Sequence, residues 1–81
     1  MTALQAAIDR ERGAYREVIR WRARYSRCRE RMAAMPQRAA SRLHYRLKDE
    51  EATAIDRHEV AEASLDALRR DYLRRLFQVV T

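Results

Sequence analysis

The first 35 residues carry apolar side chains at alternating spacings of three and four. Nine of ten positions along this stripe are apolar, and they fit the a and d positions of a heptad repeat: Leu4, Ala7, Ala14, Val18, Trp21, Tyr25, Cys28, Met32 and Met35. Glu11 is the tenth position and the one polar member. A stripe of this length predicts a long helix that packs against another helix.

Pro36 predicts the end of this helix, because proline disfavours helical backbone in the residue before it. A second stripe then continues without proline or glycine, which predicts helices at about 2–34 and 37–79. Residues 49–53 are polar, and Thr53 with Asp56 has the form of a weak capping box, so a break there stays open. We favour a continuous helix, since Glu, Ala, Lys and Arg propagate helix well. The second stripe comprises Leu43, Leu47, Ala54 or Ile55, His58, Ala61, Leu65, Leu68, Tyr72, Leu76 and Val79.

Two long helices with a short connection predict an all-α antiparallel hairpin, a single domain over residues 1–81. One glycine and one proline in 81 residues argue against hairpin-built β folds. We expect Gly13, beside Ala14, to permit a close backbone approach.

The net charge of +6 divides unevenly along the chain. Residues 1–48 hold 13 basic and 4 acidic side chains, whereas residues 49–81 hold 5 basic and 8 acidic ones. Folding at Pro36 brings the two blocks together, so we expect interhelical ion pairs to help set the orientation of the helices. The arginines expected beside the first stripe are Arg22, Arg24, Arg29 and Arg31.

The C-terminal part of the second helix is apolar around most of its circumference, more than one facing helix can bury. We therefore expect the hairpin to dimerise into a four-helix bundle or to hold this end against another protein, one that is acidic at the contact. The expected binding residues are Tyr72, Leu73, Leu76, Phe77 and Val80, with Arg69, Arg70, Arg74 and Arg75 around them.

The side chains that could support catalysis or metal binding form no site pattern in the sequence. Cys28, His44 and His58 show none of the ligand spacings typical of zinc sites, and Cys28 lies in the apolar stripe, where a packed thiol is expected. We therefore predict no enzyme activity, no metal and no cofactor. Without a signal peptide pattern or a long apolar run, the chain is expected to be cytoplasmic and not bound to a membrane.

Nucleic-acid binding is the alternative function. Five arginines off the apolar stripe would form a strip along about 28 Å of helix that could contact phosphates. Trp21 and Tyr25 lie in the stripe, so they are expected to pack rather than to stack on bases. The strip comprises Arg12, Arg16, Arg20, Arg27 and Arg31.

Together these patterns predict a non-enzymatic protein-binding module, either an adaptor, a chaperone or a phage-type inhibitor of a host factor. In size and helical pattern the chain resembles the small hairpin chaperones of type III secretion, without a shared motif. Plasmid copy-number proteins that bind RNA as hairpin dimers are similar in architecture alone.

Overall fold

The computed structural model describes residues 2–80, with side chains up to Gln78. Helix α1 spans Ala3–Ala33 and helix α2 spans Gln37–Val80. The helices pack against each other in an extended hairpin of 67 × 17 × 15 Å, which confirms the predicted all-α architecture. Its radius of gyration is 19.0 Å, against about 12 Å for a compact chain of this length. The molecule is therefore a thin rod with a large surface.

Local hydrogen bonds define both helix starts. The hydroxyl of Thr2 accepts a hydrogen bond from the Gln5 amide at 3.0 Å, and this caps the N-terminus of α1. After α1, the Met35 amide donates to the Met32 carbonyl, a tight turn that closes the last residues before proline. The Pro36 carbonyl then accepts the first bond of α2, from the Ala40 amide at 2.9 Å.

Helix α2 continues without interruption through residues 49–53. The Thr53 hydroxyl donates to the carbonyl of Asp49, four residues earlier, at 3.0 Å. Because this bond lies within the helix, Thr53 acts as an interior residue and does not cap a new helix. The continuous helix that we favoured is confirmed.

The core along the helix seam is thin. Six side chains are buried, three from each helix, and two of them are alanines: Ala7, Val18, Cys28, Leu47, Ala54 and Leu65. Cys28 is a free, buried thiol, as its place in the stripe predicted. With so few large buried side chains, apolar burial stabilises this hairpin less than it would a compact domain of equal length.

Polar contacts occur along the seam at seven-residue intervals on α2. The rings of His44 and Tyr25 share a 2.9 Å hydrogen bond between Nδ1 and Oη. His58 Nε2 lies 2.9 Å from Glu11 Oε1. Between them, Glu51 Oε1 lies 3.8 Å from Arg22 Nε. Since each group finds a partner in one register only, these contacts select the alignment of the helices.

The expectation of interhelical ion pairs is confirmed only in part, and one expectation about the helix interface is wrong. Among the described side chains, Arg22 with Glu51 is the one arginine–carboxylate pair between the helices, and Arg24, Arg29 and Arg31 form none. Arg24 instead stacks on Trp21 of its own helix, 5.2 Å from the ring centre. Gly13 is exposed, and a Cβ added there would meet nothing within 4 Å, so no close backbone approach requires it.

The helices differ in length, and the difference extends from one end of the rod. Helix α2 has 44 residues and α1 has 31. The connection is short, so both helices start near the same tip, and most of the 13 extra residues extend past the start of α1. There, a cleft is lined by Thr2, Ala3 and Leu4 of α1 with Tyr72 and Arg75 of α2 among its other residues. We call residues 73–80 the C-terminal overhang.

Candidate functional site

Among the described side chains of the overhang, which end at Gln78, three large apolar ones are exposed. Leu73 is 51% exposed, Leu76 46% and Phe77 70%. At about 100° per residue, Leu76 lies about 80° around the helix from the seam position of Leu68, Leu73 about 140° and Phe77 about 180°. The predicted excess of apolar surface at this end is therefore present, and it extends as a stripe from the line of the seam, at Leu76, towards the opposite side of α2, at Phe77.

The arginines predicted beside these residues all lie exposed around the stripe. Arg70 and Arg74 border a shallow cleft with Asp71, which also forms a 3.1 Å ion pair with Arg75. Residues 69–78 contain four arginines and one acid, a net charge of +3, and two of these arginines, Arg74 and Arg75, lie on the overhang itself. The structure thus places an apolar stripe within a basic surround.

Two of the predicted binding residues have a different place from the others. Tyr72 is half exposed and, like Arg75, lines the cleft at the start of α1, so it belongs to the helix junction as well as to the surface. Val80 lies outside the residues whose side chains the structure describes.

The five arginines of the alternative site are exposed on α1. Helical geometry places them on the side opposite the seam, with successive members four or seven residues apart. Among the described side chains, Arg20 pairs with Glu17 at 2.8 Å, while the others have no carboxylate within 4.0 Å. Trp21 and Tyr25 are half-buried in the seam, as predicted.

Glu11, His58 and Glu62 converge on one flank of the seam. Glu62 Oε2 lies 3.6 Å from His58 Nε2, and the ligand atoms of all three residues lie within 4.8 Å of one another. This cluster was not predicted from the sequence, although the sequence contains two signals of it. Glu11 interrupts an apolar stripe, and Glu62 follows His58 by four residues, which places both side chains on one helix face.

An open cleft of about 390 Å³ lies near the tip, between the end of α1 and the start of α2. The aromatic rings of His44 and Tyr45 meet at a right-angled contact of 5.4 Å beside it, and Tyr45 is 67% exposed. Lys48 lies 4.2 Å above the ring of Tyr25, so this end combines aromatic and basic groups.

No helix in the described part of the chain is both long and apolar enough to cross a membrane. Comparisons with protein-family models, with curated proteins and with solved structures find no match to this chain. The functional argument therefore rests on the surfaces of the hairpin themselves.

Proposed function

We propose that this hairpin is a non-enzymatic binding module of the cytoplasm that captures another protein through its C-terminal overhang. The observation that carries the proposal is the exposed stripe of Leu73, Leu76 and Phe77, located where α2 extends past α1. Apolar anchors at i, i+3 and i+4 are the pattern by which an amphipathic helix enters a hydrophobic groove. The rest of the hairpin would hold this helix in shape before binding.

Charge restricts the chemistry of the partner. Arg70 and Arg74 border the stripe, so a groove with acidic residues around it would be attracted and an identical basic overhang would be repelled. We therefore propose a different protein, with an apolar groove and an acidic rim, as the occupant of the overhang.

Site-specific photocrosslinking in cells tests where the partner binds. A benzophenone amino acid is placed at Leu76, and in a control at Val60, which is also exposed but lies in the acidic middle of α2. We expect one discrete protein adduct from position 76 that is absent from position 60. Equal adducts at both positions, or none at 76, would contradict the proposal.

The purified partner then gives an affinity test. Leu76→Asp should weaken binding about 30-fold or more, since a hot-spot residue contributes about 2 kcal/mol. Val60→Asp adds the same charge to an exposed position of α2 and should leave affinity unchanged. Arg70→Glu with Arg74→Glu should lower mainly the association rate and its salt dependence.

Self-association is a separate proposal, supported by surface area. The chain exposes 6791 Å², whereas a folded monomer of 9.7 kDa exposes about 5,100 Å². The difference exceeds the roughly 800 Å² that each partner buries in a standard interface. Tyr15 and Ile19 are each about half exposed on the same side of α1, and Ile8 and Ile55 are partly exposed. We propose that this flank pairs with a second copy to form a four-helix bundle.

Light scattering measures this directly. The wild type should have twice the mass of one chain, and Tyr15→Lys with Ile19→Lys should return it to a monomer. Val60→Lys is the matched control, because Val60 is equally apolar and even more exposed. A wild-type monomer at high concentration would refute the pairing.

Binding of nucleic acid is retained as the second candidate function. What favours it is the set of arginines opposite the seam, four of which have no carboxylate partner among the described residues. Duplex RNA or DNA should then bind at low salt, with affinity falling steeply as salt rises. Arg16→Glu with Arg27→Glu should remove this binding, while Arg57→Glu on α2 should not. No binding at low salt would eliminate this function.

A further inference from the structure

The cluster of Glu11, His58 and Glu62 has the composition and the spacing of a metal site. Zn²⁺ binds imidazole nitrogen and carboxylate oxygen at about 2.0–2.2 Å. Two ligand atoms on one Zn²⁺ are therefore about 3.0 Å apart when the angle between their bonds at the metal is 90°, and about 3.4 Å apart when that angle is tetrahedral. The observed separations from His58 Nε2, 2.9 Å to Glu11 and 3.6 Å to Glu62, are close to both values.

Hydrogen bonds from His58 Nε2 cannot reach both carboxylates of the cluster at once. A neutral imidazole carries one hydrogen, so Nε2 can donate to one carboxylate at most. Glu11 is at hydrogen-bond distance from Nε2, and Glu62 is beyond it. A divalent cation in the same place contacts all three ligands and balances the two negative charges.

The surroundings hold the ligands in place. Glu11 and His58 come from different helices and are 25% and 17% exposed, so both side chains are largely enclosed by the helix pair. The ring of Tyr15 packs against that of His58, with centroids 5.4 Å apart. On the solvent side, the cleft beside Glu11 and Glu62 is open and is also lined by Asp66 and Arg69.

We propose that Glu11, His58 and Glu62 form a Zn²⁺ site that joins α1 to α2. His58 Nε2 and one oxygen from each carboxylate are the protein ligands, and water takes the fourth position. Imidazole with carboxylates suits Zn²⁺ better than Mg²⁺ or Ca²⁺, which prefer oxygen alone. Because the ligands come together only in the folded hairpin, the ion stabilises the fold.

Calorimetric titration of the full-length chain with zinc chloride tests the site. We expect one Zn²⁺ per chain, and Co²⁺ in its place should show the visible absorption of a tetrahedral centre. Glu11→Gln and Glu62→Gln keep the shape of the side chains and should each weaken Zn²⁺ binding at least about tenfold. Glu59→Gln removes a neighbouring exposed carboxylate and should have no effect.

The second histidine provides a matched control. His44 occupies the equivalent heptad position two repeats earlier and bonds to Tyr25. His58→Gln should abolish binding, whereas His44→Gln and Cys28→Ser should retain it. Loss with His44→Gln or Cys28→Ser, or retention with His58→Gln, would place the ion elsewhere and overturn the proposal.

Thermal unfolding measures whether bound Zn²⁺ stabilises the packing of α1 against α2. At a hundredfold excess of Zn²⁺ over its Kd, the Tm of the wild type should rise by about 10 °C relative to the chelated protein. The Tm of the Glu11→Gln variant should rise at most about half as much at the same Zn²⁺ concentration, since it has lost the ligand from α1. No heat of binding and no shift in Tm would refute the site, and neither result depends on the overhang or its partner.

Discussion

Replacing Glu11 and His58 by leucine, singly and together, tests whether their contact holds the helices in register. The two side chains meet across the seam at 2.9 Å, although 47 residues separate them in the chain. A hydrogen bond to a charged group contributes about 1.5–3 kcal/mol. Glu11 is 25% exposed, so solvent screening reduces this, and we expect a coupling of about 1 kcal/mol.

The two single variants should differ in stability, because only one of them leaves a charged side chain in the seam without its partner. His58→Leu leaves the Glu11 carboxylate in the seam without its partner and should lower the free energy of unfolding by about 1 kcal/mol. Glu11→Leu removes the carboxylate itself, so no acid is left in the seam without a partner, and it should change the free energy of unfolding little. The double variant makes the seam apolar at this level and should return to about the stability of the wild type, which corresponds to a coupling of about 1 kcal/mol.

Urea unfolding followed by circular dichroism measures the cycle, in chelator and at one fixed protein concentration. The control cycle combines Glu11→Leu with His44→Leu, because His44 bonds to Tyr25 and not to Glu11. That pair should be additive within about 0.5 kcal/mol. If the effects of the Glu11 and His58 substitutions are equally additive, the two groups do not interact in solution. Their contact then does not hold the helices in register.

Three further substitutions test the fold. Gly13→Ala should raise stability by about 1 kcal/mol, since the added Cβ meets nothing within 4 Å, and a lower Tm would mean that another surface packs on this glycine. Ala52→Gly should cost about 1 kcal/mol because Ala52 lies within continuous α2, whereas a neutral result in urea unfolding would indicate a break there. Leu65→Ala should lower the free energy of unfolding by about 2–4 kcal/mol, because Leu65 is only 4% exposed. Leu73→Ala should lower it by less than about 0.5 kcal/mol, because Leu73 is 51% exposed. Equal losses would show that the overhang is packed in the free protein.

Much of the fold follows from local pattern, and the helix ends show why. Thr2 can cap a helix because its hydroxyl reaches the amide three residues on, and Pro36 stops α1 through its own backbone geometry. These effects act within a few residues, so the predicted bounds of both helices lie close to the observed ones. The possible break at residues 49–53 was harder to judge, since Thr53 could cap a helix or bond back to Asp49.

The candidate sites were predictable in part. Leu73, Leu76 and Phe77 were predicted from the excess of apolar residues near the C-terminus. Their exposure in the hairpin depends on where α1 begins alongside α2, because α1 does not cover the residues beyond that point. The arginines around them are exposed, as expected from their charge. The cluster at His58 was missed because one of its three ligands, Glu11, comes from the other helix.

Two long amphipathic helices folded back at Pro36 can be derived from the sequence, because heptad periodicity and proline geometry are properties of neighbouring residues. Which residues meet across the seam depends on how the two helices pack. This packing paired Glu11 with His58 and Tyr25 with His44, left most of the arginines of α1 without acidic partners, and exposed Gly13. These outcomes depend on the relative rotation and register of two helices. One register satisfies the polar groups of the seam together, and no stretch of sequence contains that information alone.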